Sequence, residues 1–193
     1  MIKNSILIIG IVGLFLFAMF GLTILPKIYI EPNVEKANVY VWSRAAEGHK
    51  VYVSHGCIYC HSQQVRPKGF GADIERGWGR ASVATDYKGL MPHQLGTMRT
   101  GPDLSNIGQR QPSRDWHLLH LYNPRMVIKE SIMPPYPFLF DIVDADKTLK
   151  EGLKLPPEYQ IPGKKVIPTD EANALVDYLL SLTQKDPIKP QQN

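Results

Sequence analysis

The sequence predicts an all-α protein: one membrane-spanning helix at the N-terminus, then a single helical domain with long loop insertions. Three observations carry that prediction. From Ser5 to Leu25 the chain reads SILIIGIVGLFLFAMFGLTIL, without a charged residue. Near the C-terminus, Leu175, Tyr178, Leu179 and Leu182 follow the i, i+3, i+4, i+7 spacing of an amphipathic helix. Between them, Trp42 to His55 forms a second helical stretch. Its apolar face is moderate (Trp42, Ala45, Ala46, Tyr52, Val53), and Gly56 closes it.

Taken in order, the apolar run is long enough to cross a bilayer, since 21 helical residues rise about 30 Å. A cleaved signal peptide has a shorter apolar region ending at a small-x-small site, and Leu22-Thr23-Ile24-Leu25-Pro26 offers none. Residues 1–27 therefore read as an uncleaved anchor. Its small residues Gly10, Gly13, Ala18 and Gly21 suit a neighbouring membrane helix. Residues 28–41 read as a linker, with Glu31-Pro32-Asn33 blocking helix. The domain then spans residues 42–184. Residues 66–115, rich in Gly and Pro, read as loops with short helices. Trp116–Tyr122 reads as a short helix ended before Pro124. The proline-rich stretch 134–168 reads as a wrapping loop, with Asp144–Leu153 its one candidate helix. For the last helix, Thr169 is the N-cap, and Asp170 and Glu171 complement the positive end of the dipole. The polar tail 185–193 reads as frayed. Net charge is +4, with no basic run or aromatic-interleaved stripe, which argues against a nucleic-acid partner.

The chemistry lies in Cys57-Ile58-Tyr59-Cys60-His61, which holds both cysteines of the chain. C-x-x-C-H is the spacing of a covalent c-type haem attachment site. Two thiols at this separation reach two vinyl groups on one porphyrin edge, and the next residue falls beneath the iron as an axial imidazole. A thioredoxin-like dithiol wants a βαβ context, and a structural zinc wants four ligands where three cluster. A plain disulfide leaves His61 without a role. Covalent haem is attached outside the cytoplasm in bacteria, so the domain is expected on the periplasmic side of the inner membrane. Lys3 and Lys27 flank the apolar run on both sides and do not fix its orientation.

A haem iron with one histidine needs a sixth ligand or stays open. Methionine is the usual one in electron-transfer proteins. Met91, Met98, Met126 and Met133 are the candidates in the domain. Met133 is favoured by the prolines that follow it, Pro134 and Pro135, which stiffen the segment presenting a weak thioether. Met91 is followed by Pro92 and is the rival; His49, His55, His93, His117 and His120 are alternatives for bis-histidine ligation.

Gly56-Cys57-Ile58-Tyr59-Cys60-His61, Gly101-Pro102-Asp103-Leu104, Met133-Pro134 and the helix with Leu175-Val176-Asp177-Tyr178-Leu179 together resemble a class I cytochrome c. That resemblance implies a small all-α wrap around one haem, first and last helices crossing. It implies a Pro102 carbonyl accepting from the His61 ring. Its motif order, G-P before the methionine, points to Met133. Longer strings carry a narrower resemblance: His61-Ser62-Gln63-Gln64-Val65-Arg66-Pro67, Arg99-Thr100-Gly101-Pro102-Asp103-Leu104, Trp116-His117 with His120-Leu121, Asn123-Pro124-Arg125, and Met133-Pro134-Pro135-Tyr136-Pro137. These are similar to the membrane-anchored monohaem subunit of cbb-type haem–copper cytochrome oxidases. The family implies an electron-transfer subunit, not an enzyme on its own, with one covalent haem c. Its partners would be a donor cytochrome c, the catalytic haem–copper subunit and other oxidase subunits. The stretches from Gly71 to Met98 and from Phe140 to Lys165 depart from the family pattern. The nearest alternatives are the monohaem subunit of nitric oxide reductase and a free membrane-tethered shuttle.

Within the site, Arg99 is a candidate partner for a haem propionate, against a plain surface arginine. Trp116, His117 and His120 are candidates for the haem edge or a subunit contact, against an ordinary core edge. Tyr136 is expected to pack near Met133. Arg66 and Arg125 are weaker candidates for an interface or a propionate.

Overall fold

The computed structural model describes residues 2–33, 43–87, 94–96 and 98–184. Met91, His93 and Trp42, the tail 185–193 and most of the expected linker lie outside them.

The N-terminal helix forms as expected but differs in detail. It comprises α1 (Ile2–Met19), a π-helical turn (Phe20–Ile24) and α2 (Leu25–Asn33). Its segment Asn4–Tyr29 is long and apolar enough to cross a membrane. The chain does not leave the helix after Lys27, where the linker is expected to start, and it stays helical through Pro26. Proline has no N–H for the carbonyl four residues back, a loss the π-turn takes up. In that turn the Leu25 N–H donates to the Phe20 carbonyl, five residues away. The helix then runs on to Asn33, so Glu31-Pro32-Asn33 does not block it.

The domain is built on two helices, α3 (Ser43–Ser54) and α6 (Asp170–Ser181), packed against each other. Between them in sequence come a one-turn helix α4 (Ile107–Arg110) and α5 (Arg114–Tyr122). Tyr52, Leu175, Val176, Tyr178, Leu118, Leu121, Leu139 and Val166 form one buried core. The Tyr52 and Tyr178 rings meet at 5.4 Å. Gly48 lets the helices approach: a Cβ there would lie 1.9 Å from the Ala174 carbonyl oxygen and 2.7 Å from the Tyr178 Cβ. α5 starts at Ser113, whose hydroxyl accepts from the Trp116 N–H (3.2 Å). It is tied to α6 by Arg114, which pairs with Asp177 at 2.5 Å and donates to the Asn173 carbonyl.

Two expectations are corrected. The domain is not all-α: β1 (Phe140–Asp144) and β2 (Lys164–Pro168) form a two-stranded antiparallel sheet, Phe140 opposite Pro168 and Asp144 opposite Lys164. The candidate helix Asp144–Leu153 shrinks to a 3₁₀ turn, Ala145–Lys147. The β-branched Ile142, Val143, Val166 and Ile167 favour the pleated ladder. Asp144 is held by Lys164 and Lys147 at 2.5 and 2.8 Å, a pairing that closes the sheet end. Thr169 joins this sheet to α6. Its hydroxyl donates to the Leu139 carbonyl (2.9 Å) and accepts from the Ala172 N–H (3.2 Å), the cap expected of it.

Candidate functional site

The C-x-x-C-H segment sits at the end of α3. Gly56 adopts the left-handed conformation (φ 69°) that breaks the helix. The chain then tightens into a 3₁₀ turn, Cys57–Tyr59, and the His61 N–H donates to the Cys57 carbonyl (2.9 Å). Cys57 and Ile58 pack on the core, and Tyr136 neighbours the two cysteines. Both thiols are free, Cys57 half-buried and Cys60 exposed.

His61 is held by the distant segment 101–104. The Gly101 N–H donates to the Cys60 carbonyl and the Leu104 N–H to the Ser62 carbonyl, both at 2.8 Å. The His61 ring Nδ1 lies 2.7 Å from the Pro102 carbonyl, which can only accept. That bond places the proton on Nδ1 and leaves the Nε2 lone pair free. Burial pulls the His61 pKa below its ordinary value, only partly offset by Pro102 and Asp103, so the ring is neutral. Gly101 fits flat against the ring: a Cβ there would lie 2.3 Å from Cε1.

Asp103 ties the two segments together and went unassigned in the sequence. It is fully buried and accepts from the Ser62 hydroxyl and the Gln64 N–H, both at 2.6 Å, and from the Ser105 N–H at 2.8 Å. Gln63 completes the bracing by donating from Nε2 to the Tyr178 hydroxyl of α6 (2.9 Å). The signal for Asp103 was its place in Gly101-Pro102-Asp103-Leu104; its Ser62 and Gln64 partners lie about 40 residues away.

The other expected site residues fall as follows. Met133 lies half-buried and packs against the core. The Tyr136 ring faces His55 at 6.4 Å and Phe138 at 5.6 Å. Its phenol pKa is raised by burial, then by the neighbouring Cys57 and Cys60. Arg99 has protein partners: both Asp73 carboxylate oxygens, the Gln64 carbonyl and the face of Trp78. Burial alone would raise the Asp73 pKa, but Arg99 and the Arg66 N–H hold it below the usual range. His117 is a buried core histidine bonded to the Gln111 carbonyl (2.8 Å).

Trp116 stacks on His120 with centroids 4.7 Å apart and planes 8° from parallel. Burial, then the neighbouring His61 and His117, pull His120 down to about 4. The unfolded chain takes up this proton near 6.5, whereas the folded domain refuses it until about 4. The His120 contribution is thus fully present above pH 6.5 and is lost as pH falls toward 4. His120→Phe keeps the stack and removes the basic nitrogen, so it is expected to flatten this acid limb. Urea titrations of the two proteins at about pH 7 and about pH 5 check this; equal losses of stability would count against it.

The donor set fits a covalently held haem. Two unpaired thiols lie three residues apart. A neutral imidazole presents a free Nε2, and the close approach of Gly101 fixes its ring. It fits the rival chemistries less well. No group of three or more His, Cys, Asp or Glu that could hold a metal exists among the described residues. The Cys57 thiol is pushed up to about 11 by burial, the reverse of what a dithiol nucleophile needs.

Fold and site therefore define a class: a domain of short helices, long loops and one small sheet, built around a braced C-x-x-C-H turn, behind one helix able to span a membrane. The chain belongs to the family described as cytochrome c oxidase, mono-heme subunit/FixO, which matches residues 1–185. None of the curated proteins matches the sequence.

Proposed function

We propose that this protein is the electron-transfer subunit of a cbb-type haem–copper oxidase and carries one haem c. Cys57 and Cys60 would hold the haem through thioether bonds, His61 Nε2 and the Met133 thioether would ligate its iron, and Pro102 would orient the imidazole. Tyr136 and Trp116 flank the group. When bound, the iron supplies a one-electron couple, ferric to ferrous and back. With His61 and Met133 both ligating the iron, this chain would offer no place there for a substrate. It accepts an electron from a donor cytochrome c and delivers it to the catalytic subunit, where oxygen is reduced to water. The N-terminal helix anchors the domain on the periplasmic side of the inner membrane. Anchoring raises its effective concentration beside the partner subunits.

The observation that carries this reading is the His61–Pro102 hydrogen bond, which leaves Nε2 free for a metal in a chain of the monohaem family. The test is gentle detergent extraction, followed by a haem stain on a denaturing gel and metal analysis of the intact complex. We expect haem to stay on the denatured chain, to be lost in the Cys57→Ala/Cys60→Ala double variant, and copper to travel with the complex. A chain that sheds all its haem on denaturation overturns the attachment. Non-haem iron in place of copper moves the protein to a nitric oxide reductase.

A further inference from the structure

We propose that Arg125 is a positioning residue whose guanidinium holds the Met133 backbone and so sets how firmly the thioether is presented to the haem iron. The inference rests on Met133 being the sixth ligand.

The segment after Met133 is poor in hydrogen-bond donors. Pro134, Pro135 and Pro137 have no N–H, so from Met133 to Pro137 only Met133 and Tyr136 can donate from the backbone. The Tyr136 N–H is used at the neck of the loop, on the Leu121 carbonyl (2.9 Å). Leu121 and Tyr136 thereby close a compact Ω-type loop with Met133 near its returning end. Two grips on Met133 itself remain. Its N–H donates to the Ser131 hydroxyl at a long 3.3 Å, and its carbonyl accepts from Arg125 Nη1 at 3.2 Å. The Arg125 bond is charge-assisted and is the one that crosses the loop.

Arg125 is itself well placed to act as a fixed point. It lies in the short 3₁₀ turn Pro124–Met126, and its N–H is capped by the Asn123 side chain (3.1 Å). Asn123 in turn continues α5, its N–H donating to the Leu119 carbonyl (2.9 Å). A continuous chain of bonds therefore runs from a core-packed helix to the Met133 carbonyl. A thioether is a weak neutral ligand, so its hold depends on how rarely this loop opens.

The loop opening is read by competition with imidazole on the ferric full-length protein in detergent, followed by loss of the sulfur–iron charge-transfer band in the far red. A competitor that binds only the open form gains apparent affinity in proportion to the open fraction. Arg125→Gln is expected to tighten imidazole binding by roughly five- to tenfold, as loss of one such bond predicts. Arg125→Lys keeps a cationic donor without the planar fork and is expected to recover part of the difference. Thermal melting of the domain is expected to stay near wild type, since the bond lies on an exposed loop. Should Arg125→Gln fail to accumulate, Arg125→Lys and Ser131→Ala carry the test, both with tighter imidazole binding. Wild-type imidazole affinity in these variants overturns the inference. Met133→Leu separates the two levels. If it lacks the band before any imidazole is added and Arg125→Gln behaves as wild type, only the positioning role falls. If it keeps the band, Met133 is not the ligand and both readings fall.

Discussion

A Gly101→Ala variant is expected to keep its fold and lose its proximal ligand geometry. The added Cβ would lie 2.3 Å from His61 Cε1, 2.7 Å from Nδ1 and 2.8 Å from Nε2, closer than real atoms approach. The clash is a matter of space, because Gly101 does not have positive φ. The backbone is poorly able to give way: the Gly101 N–H is bonded to Cys60 and the Leu104 N–H to Ser62, both at 2.8 Å. The imidazole must therefore move, and its 2.7 Å bond to the Pro102 carbonyl goes with it. Overpacking of this kind costs about 1–3 kcal/mol, enough to lower the fraction of correctly ligated site roughly fivefold or more. Cys57 and Cys60 are untouched, so haem is expected to remain covalently bound. The reduced variant is expected to bind carbon monoxide where the parent does not. A parent-like absorption spectrum with no carbon monoxide binding would show that the ring tolerates the methyl group.

The second large effect concerns the fold. Gly48→Ala places a methyl group 1.9 Å from the Ala174 carbonyl oxygen, 2.5 Å from its carbon and 2.7 Å from the Tyr178 Cβ. Two of these three atoms are helix backbone, so a rotamer change cannot relieve the contact. α3 and α6 must separate, which unpacks Tyr52 from Tyr178 at the centre of the core. The expected loss is about 3 kcal/mol or more, a large share of the roughly 5–15 kcal/mol that holds a domain together. Chemical denaturation of the detergent-solubilised protein checks this. An unchanged midpoint would mean that the helices do not meet at this glycine. The site should suffer too, because α3 leads directly into Gly56 and Cys57.

The parts of the protein written in short stretches of sequence were legible. The uncharged N-terminal run, the Thr169 cap with its acidic first turn, and the apolar stripe Leu175, Tyr178, Leu179 and Leu182 all follow from local rules, and each formed. The β1–β2 pairing was missed because its strands are 20 residues apart and separated by prolines. Each alone looks like loop; together they bury Phe140 and Val166. The continuation of the N-terminal helix from Ile28 to Asn33 was missed for the opposite reason, since a local proline rule did not hold against a helix already running through Pro26. At the site, the haem expectation rests on neighbouring residues, Cys57–His61, and so could be read locally. Asp103, the Arg99–Asp73 pair and the Arg125–Met133 contact could not, because a buried carboxylate or a clamped carbonyl is defined by partners that sequence order does not reveal.

The amino-acid sequence by itself determined which groups this protein has to work with: two thiols and an imidazole at fixed spacing, a set of methionines, and a hydrocarbon-length helix. Those are covalent and short-range facts, fixed by neighbours along the chain. The tertiary structure alone decided which ring nitrogen of His61 is free and which glycines are filled by a neighbour. It also packed Met133 against the core. Each of these depends on the approach of segments about 40 or more residues apart, and packing in a dense core, not order along the chain, sets that approach.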